Sequence, residues 1–464
     1  MTGTHGTRCS EVDAAMAACP AKPSAGSTSR CPPFRKGRRM TELAEIDYFT
    51  NPEIAQDPYA YWEHLRSQGP VVREPHYGVV AVTGYQEVHA AFKDADAFSA
   101  VNAIGGPFPP LPFTPKGDDI SELIEAHRHE FPIFEHMVVM DPPHHEKARS
   151  ILGRLLTPRR LQENEEYIWR LADEQFDEFT DKGRCEFLSE FAKPYATLAI
   201  ADLLGVPDDD RPKLRRNLGA GSAPDYHVGS LDSTPVGSNP LRYLDELFSG
   251  YIADRRDTPR DDVLTGLATA TYPDGSTPPL LEVVRPATFL FGAGQETVVK
   301  LLSSALQVLG DRPGLQETLR ADRSLIPAFI EEALRYESPT KVDFRLARKT
   351  TALGGVPIKA GTVLMLCLGA ANRDPRKFDN PDEFHLHRKN VREHIAFGRG
   401  IHTCAGAPLA RVEGRVTINR MLDRMSDIRI SEAEHGPIND REYRYEPTFL
   451  LRGLTELHIE FDTA

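Results

Sequence analysis

Residues 280–310 read LLEVVRPATFLFGAGQETVVKLLSSALQVLG, an uninterrupted stretch with apolar residues at helical intervals. A helix of about thirty residues spans ~45 Å at 1.5 Å per residue. That is enough to traverse a domain, so whatever fold the chain adopts must be arranged around it. Pro286 inside the stretch is expected to delay the start of this helix or to kink it. Gly294 costs up to ~1 kcal/mol there against alanine. It is either a glycine tolerated near solvent or a notch cut for something beside the helix.

The rest of the 464-residue chain fits around such a helix. Helical patterns dominate 143–340, and DPYAYWEHLRSQGP (57–70) and YQEVHAAFKDADAF add short helices. Valine-rich VVREP and YGVVAVTG, residues 344–367 and the alternating FLLRGLTELHIEF read as short strands. Residues 101–140 form a long Pro/Phe/Gly-rich loop whose Phe108, Phe113, Phe131 and Phe134 favour an ordered wall. A Gly/Ser/Pro-rich connector at 219–240 suits a mobile lid. Residues 1–40 lack periodicity and are expected to be a disordered extension, with Met40 opening the globular part, 41–464. The fold class is mainly α with small β-sheets (α+β), in one large domain.

A net charge of -13 argues against nucleic acid as a partner, because phosphate binding wants clustered Lys and Arg. No run of ~18 apolar residues spans a membrane, and the N-terminal residues lack the apolar core of a signal peptide. A soluble, cytoplasmic protein is the expectation. Six cysteines are too few for a disulfide scaffold. Cys185 and Cys367 sit among apolar residues and read as core, and Cys9, Cys19 and Cys31 fit no compact zinc spacing.

Cys404 is framed differently, in AFGRGIHTCAGAPLAR (396–411). The glycines permit tight turns and close backbone approach. A helical pattern starts at Ala407, so the cysteine precedes a helix N-terminus whose free N–H groups stabilise a thiolate. Three readings stand on these residues alone: a buried thiol, a nucleophile needing a general base such as His402, or a thiolate ligand to a flat metal centre.

The segment resembles the haem-binding signature of the cytochrome P-450 monooxygenases. Phe397, Gly400, His402, Cys404 and Gly406 match it in spacing, followed by Leu409-Ala410-Arg411, common in bacterial members. Other motifs follow the family's order. Ala293-Gly294-Gln295-Glu296-Thr297 matches the oxygen-activating acid–alcohol pair, with Glu in place of the usual Asp. Glu332 and Arg335 match a Glu-x-x-Arg helix. Their third partner maps to Arg388, although Phe384-His385-Leu386-His387-Arg388 lacks the family's Asp. His145 and Arg149 share a helical face after Asp141-Pro142-Pro143, and with Arg345 and His402 they match partners of the haem propionates.

The resemblance implies haem b with Cys404 as axial iron ligand, Phe397 and Gly398 in the haem loop, and Gly294, Glu296 and Thr297 serving catalysis. It implies a monooxygenase that puts one oxygen atom from dioxygen into an apolar small molecule, in a pocket walled by Phe108, Phe113, Ala293, Val342, Phe449 and Leu450. Lys341 and Asp343 would either meet a polar group of that molecule or point to solvent. No flavin, NAD or iron–sulfur fingerprint is present in the sequence. Electrons would therefore come from outside the chain, and the resemblance implies a ferredoxin and an NAD(P)H-dependent ferredoxin reductase, docked near Arg399, Arg411 and Arg415. A monomer is implied. The alternatives are a peroxide-driven peroxygenase and a non-catalytic haem sensor or carrier.

Overall fold

In a computed structural model, residues 43–214, 241–272 and 275–464 are described. The 1–40 extension, Met40, the three N-terminal cysteines and the 219–240 lid lie outside them.

The long helix runs from Leu280 to Gly310. Pro286 lies inside it and does not postpone its start, because the helix is already formed at Leu280. Neighbouring helices approach where it carries glycine. A Cβ at Gly292 would stand 3.0 Å from Leu241 Cδ2, at the start of helix Arg242–Asp257. A Cβ at Gly294 would stand 3.6 Å from Ile200 on helix Lys193–Leu203. Helix Ala407–Arg424, opened by Pro408 in its first turn, packs through Gly414 on Ile330 of helix Ile326–Tyr336. Val283, Phe291, Leu301 and Leu306 of the long helix join Tyr195, Phe248, Ile330 and Val416 in the main core.

The strands are β1 (Val71–Arg73), β2 (Val80–Val82), β3 (Phe98–Ser99), β4 (Arg184–Glu186), β5 (Asp343–Ala347), β6 (Thr351–Leu353), β7 (Val356–Ile358), β8 (Val363–Leu366), β9 (Met425–Ile430) and β10 (His458–Thr463). A five-stranded sheet has the order β1-β2-β8-β5-β3, parallel only between β2 and β8. β4, β10 and β9 form a second sheet, and β6 and β7 a third. β5 matters for function because side chains alternate along it. Phe344 and Leu346 enter apolar clusters, while Arg345 pairs with Asp343 across the intervening residue.

Two expectations change. Residues 101–140 are not one loop, since Ser121–Ala126 is helical and two short 3-10 turns follow. Phe113, Phe131 and Phe134 nonetheless form a wall around Ile120, Ile124 and Leu346. In FLLRGLTELHIEF only the end is strand, from His458. Upstream the backbone makes just isolated bridges, Thr340 with Leu451 and Tyr445 with Leu454.

Candidate active site

The loop around Cys404 is built by left-handed glycines and docked on helix Tyr85–Lys93. Gly398 (φ 64°) and Gly400 (φ 73°) adopt a conformation costly for other residues. A Cβ at Gly400 would also overlap the Phe92 carbonyl oxygen. The Cys404 N–H donates to the Phe397 carbonyl at 2.9 Å. Helix Ala407–Arg424 begins three residues later. Cys404 is exposed by area, yet it is enclosed closely enough that burial pushes its thiol above the ordinary value. The N–H groups of Gly406 and Ala407, with Arg149 and Arg411, pull the other way and do not prevail.

The long helix lies beside the cysteine loop. A methyl at Gly406 would lie 3.9 Å from Cys404 Sγ and 4.0 Å from Leu290 Cδ1. Leu290, Ala293 and Thr297 share one helical face. Ala293 is exposed in mid-helix, while Val298 to Leu306 are buried. Thr297 Oγ1 donates to the Ala293 carbonyl at 2.9 Å. Glu296 Oε2 lies 4.0 Å from Lys300 Nζ. A Cβ at Gly294 would make ordinary contact with Ile200, 3.6 Å away.

His145, Arg149, Arg345 and His402 come together. The His145 and His402 rings are 4.3 Å apart between centroids. Both ring nitrogens of His145 and Nε2 of His402 are buried without a hydrogen-bond partner. Burial, then Arg345, His145 and Arg149, push His402 down to about 2. Burial and Arg149 lower His145. Arg345 stacks over Phe92 at 5.1 Å and donates to Asp343 Oδ1 at 2.7 Å. Donors this crowded and under-partnered fit an anionic group with more than one carboxylate.

Glu332, Arg335 and Arg388 form one buried network. Arg335 donates to both Glu332 oxygens at 2.8 and 2.7 Å, and both residues are fully buried. Arg388 Nε adds bonds of 3.1 Å to each oxygen. The His385 backbone N–H donates to Glu332 Oε1 at 2.9 Å, so the loop lacking the expected Asp docks through its main chain.

Comparison with known proteins fits this geometry. Residues 243–442 match the family model Cytochrome P-450. Cytochrome P-450 144 of Mycobacterium tuberculosis is 32% identical over 403 residues, covering 85% of this chain and 88% of that protein. The chain belongs to the cytochrome P-450 family. The substrate-free structure of Mycobacterium marinum cytochrome P-450 CYP150A6 is 62% identical and superposes with a TM-score of 0.85, covering 91% of this chain and 100% of that one. P-450BioI, solved in complex with hexadec-9Z-enoic acid ligated acyl carrier protein, is 29% identical with a TM-score of 0.73, covering 89% and 99%. The protein is thus a P-450 monooxygenase, an oxidoreductase of a family whose cofactor is haem b on a cysteine thiolate. Its fold is the P-450 fold, and no helix among the described residues is long and apolar enough to cross a membrane.

The residues expected around a P-450 substrate do not share one wall. Phe108, Val342, Phe449 and Leu450 belong to a core cluster with Phe49 and Phe344. Val342 is fully buried because it alternates with Asp343 and Arg345 and so points to the opposite face. Phe113 sits in the separate cluster with Phe131. Ala293 alone of the six is exposed. Lys341 is buried, and its Nζ has no hydrogen-bond partner. The three arginines expected to dock a redox partner are occupied. Arg411 pairs with Glu331 and stacks over Phe397, Arg415 pairs with Glu165, and Arg399 donates to the carbonyls of Gly398, Glu393 and His394.

Two functional neighbours escaped the sequence reading. Glu331 ties Arg411 to His394, whose Nε2–H donates to it at 2.9 Å, and thereby braces the cysteine loop. The doublet Glu331-Glu332 was visible, but nothing local separates the two roles. Lys300, a charge inside an apolar helical stretch, was the other available signal.

Proposed function

We propose that this chain oxygenates an apolar small molecule with electrons from a ferredoxin and its NAD(P)H-dependent reductase, and that Cys404 would hold its haem iron through the thiolate. The observation that carries this reading is Cys404, an exposed residue of the glycine-built loop, with Leu290 of the long helix one methyl contact away and the His145, Arg149, Arg345 and His402 cluster beside it. Those four residues would hold the propionates through charge-assisted hydrogen bonds. Phe397, Gly398 and Gly400 shape the loop that presents the sulfur. When bound, the haem supplies the redox chemistry, and a thiolate ligand favours O–O cleavage.

The chain's own contribution is protons and shelter. Thr297 Oγ1 now donates to Ala293, and its hydroxyl can turn toward the space beside the helix. Glu296, partly open to solvent with a side chain 40% exposed, is placed to pass a proton toward it. Apolar packing around Leu290 keeps water from the same space. The fatty acyl group in the P-450BioI structure supports an apolar substrate class here.

The test is optical. Carbon monoxide added to the reduced protein should give the strongly red-shifted Soret band of a thiolate-bound haem, and Cys404→Ser should abolish it. Persistence of the band in that variant refutes the ligand assignment. Hexadec-9Z-enoic acid and a steroid serve as first probes for a low-to-high spin shift.

A further inference from the structure

Lys300 lies one helical turn beyond Glu296 on the long helix, and its side chain is 3% exposed. A lysine this buried needs counter-charge. Two carboxylates supply it: Glu446 Oε2 at 2.7 Å and Glu296 Oε2 at 4.0 Å. The unequal distances assign unequal roles, with Glu446 the holder and Glu296 the outer partner.

The path of the lysine is shaped for this. Its aliphatic stem runs against the backbone of Gly453, where a Cβ would overlap Lys300 Cγ and stand 3.0 Å from Cδ and 3.1 Å from Cε. The same short segment closes on itself, since the Glu446 N–H donates to the Gly453 carbonyl at 3.0 Å and Tyr445 bridges Leu454. Holder and groove thus belong to one rigid loop, which also carries Phe449 and Leu450. Arg452 of that loop is taken by Glu337 at 2.5 Å and leaves Glu446 to the lysine.

We propose that Lys300 is a positioning residue for Glu296: clamped by Glu446 and Gly453, it fixes a cation at ion-pair distance from the acid that serves Thr297. A glutamate has three side-chain torsions and samples many positions when nothing holds it. A fixed ammonium at i+4 restricts that sampling, and proton transfer depends on where the acid sits. The inference rests on the proton-relay role proposed for Glu296.

The experiment needs no organic substrate. Dioxygen uptake driven by NADPH through a ferredoxin and its reductase is measured in ordinary and heavy water for the haem-loaded protein. Lys300→Met should slow uptake about tenfold, less than the 100-fold or more that positioned proton transfer can supply, and should enlarge the solvent isotope effect. The carbon monoxide band and haem content should stay unchanged. Lys300→Arg, which keeps the charge, should recover most of the rate and the ordinary isotope effect. Gly453→Ala, which displaces the stem without removing the charge, should slow uptake and enlarge the isotope effect in the same way, and it carries the test should Lys300→Met not fold. Wild-type uptake in both Lys300→Met and Gly453→Ala, beside slow uptake in Glu296→Gln, overturns the positioning role and leaves Glu296 standing. Wild-type uptake in Glu296→Gln overturns the relay itself and the inference with it.

Discussion

Glu331 shows how much one side chain beside the cysteine loop can contribute. Burial opposes its charge, yet hydrogen bonds from His394 and Arg411 win and hold its carboxyl down to about 2, against an ordinary 4.5. A depressed folded-state value means that the stabilisation is complete above pH 4.5 and is lost as pH falls from 4.5 toward 2. The full contribution is on the order of 3 kcal/mol. Glu331→Gln should lower stability at neutral pH by up to about that amount. It should also flatten the dependence between pH 4.5 and 2 relative to the parent, read from urea midpoints at a series of pH values. At this scale the sequence was legible wherever chemistry sits in a short motif. Cys404, His402 and Glu332 could be named because their spacing is local. The roles of Glu331, Lys300 and Gly294 depend on which neighbour packs against each, and those neighbours lie 63, 146 and 94 residues away in His394, Glu446 and Ile200.

Between elements, the Glu332 network joins helix Ile326–Tyr336 to the turn-rich stretch before the cysteine loop. Arg335 donates to the carbonyls of Asn372, Pro381 and Glu383, and Arg388 to those of Asp379, Asn380 and Glu383. Two guanidinium groups thus order a segment that has little regular structure of its own, and one carboxylate is shared between both. Glu332→Gln leaves both cations without their shared anion, and breaking a buried pair this way costs about 3–5 kcal/mol. Arg388→Ala should cost less, because the two-pronged Arg335–Glu332 bond survives. Equilibrium unfolding of the two variants orders them, and an equal loss contradicts the sharing. The sequence revealed this pairing despite the missing Asp, since His385 reaches Glu332 through its main chain, which every residue has. It was less informative for β5, where strand alternation sends Val342 away from Arg345 and the register is set by pairing with β8.

Across the whole molecule, Phe49 gathers distant parts of the chain. Its ring lies 5.6 Å from Phe108, 6.1 Å from Phe344 and 5.4 Å from Phe449, between centroids. The early chain, the 101–140 segment, β5 and the C-terminal loop therefore share one edge-packed aromatic cluster. Read singly, Phe108 and Phe449 look like pocket walls; in the fold they hold the walls together. Removing the central ring, Phe49→Ala, should cost about 3–5 kcal/mol as cavity and lost contact. Because the loss falls on a shared anchor, its effect should reach regions far apart in sequence. Amide exchange should quicken together around residues 102–108 and 446–453, while helix Ala407–Arg424, which has no residue in this cluster, keeps its protection. If only the amides next to Phe49 respond, the aromatic cluster is a local filler. If both distant segments respond, loosening of the 446–453 loop should also release Lys300 from Glu446, so the same variant should show the enlarged solvent isotope effect of Lys300→Met although no residue of the relay has been changed.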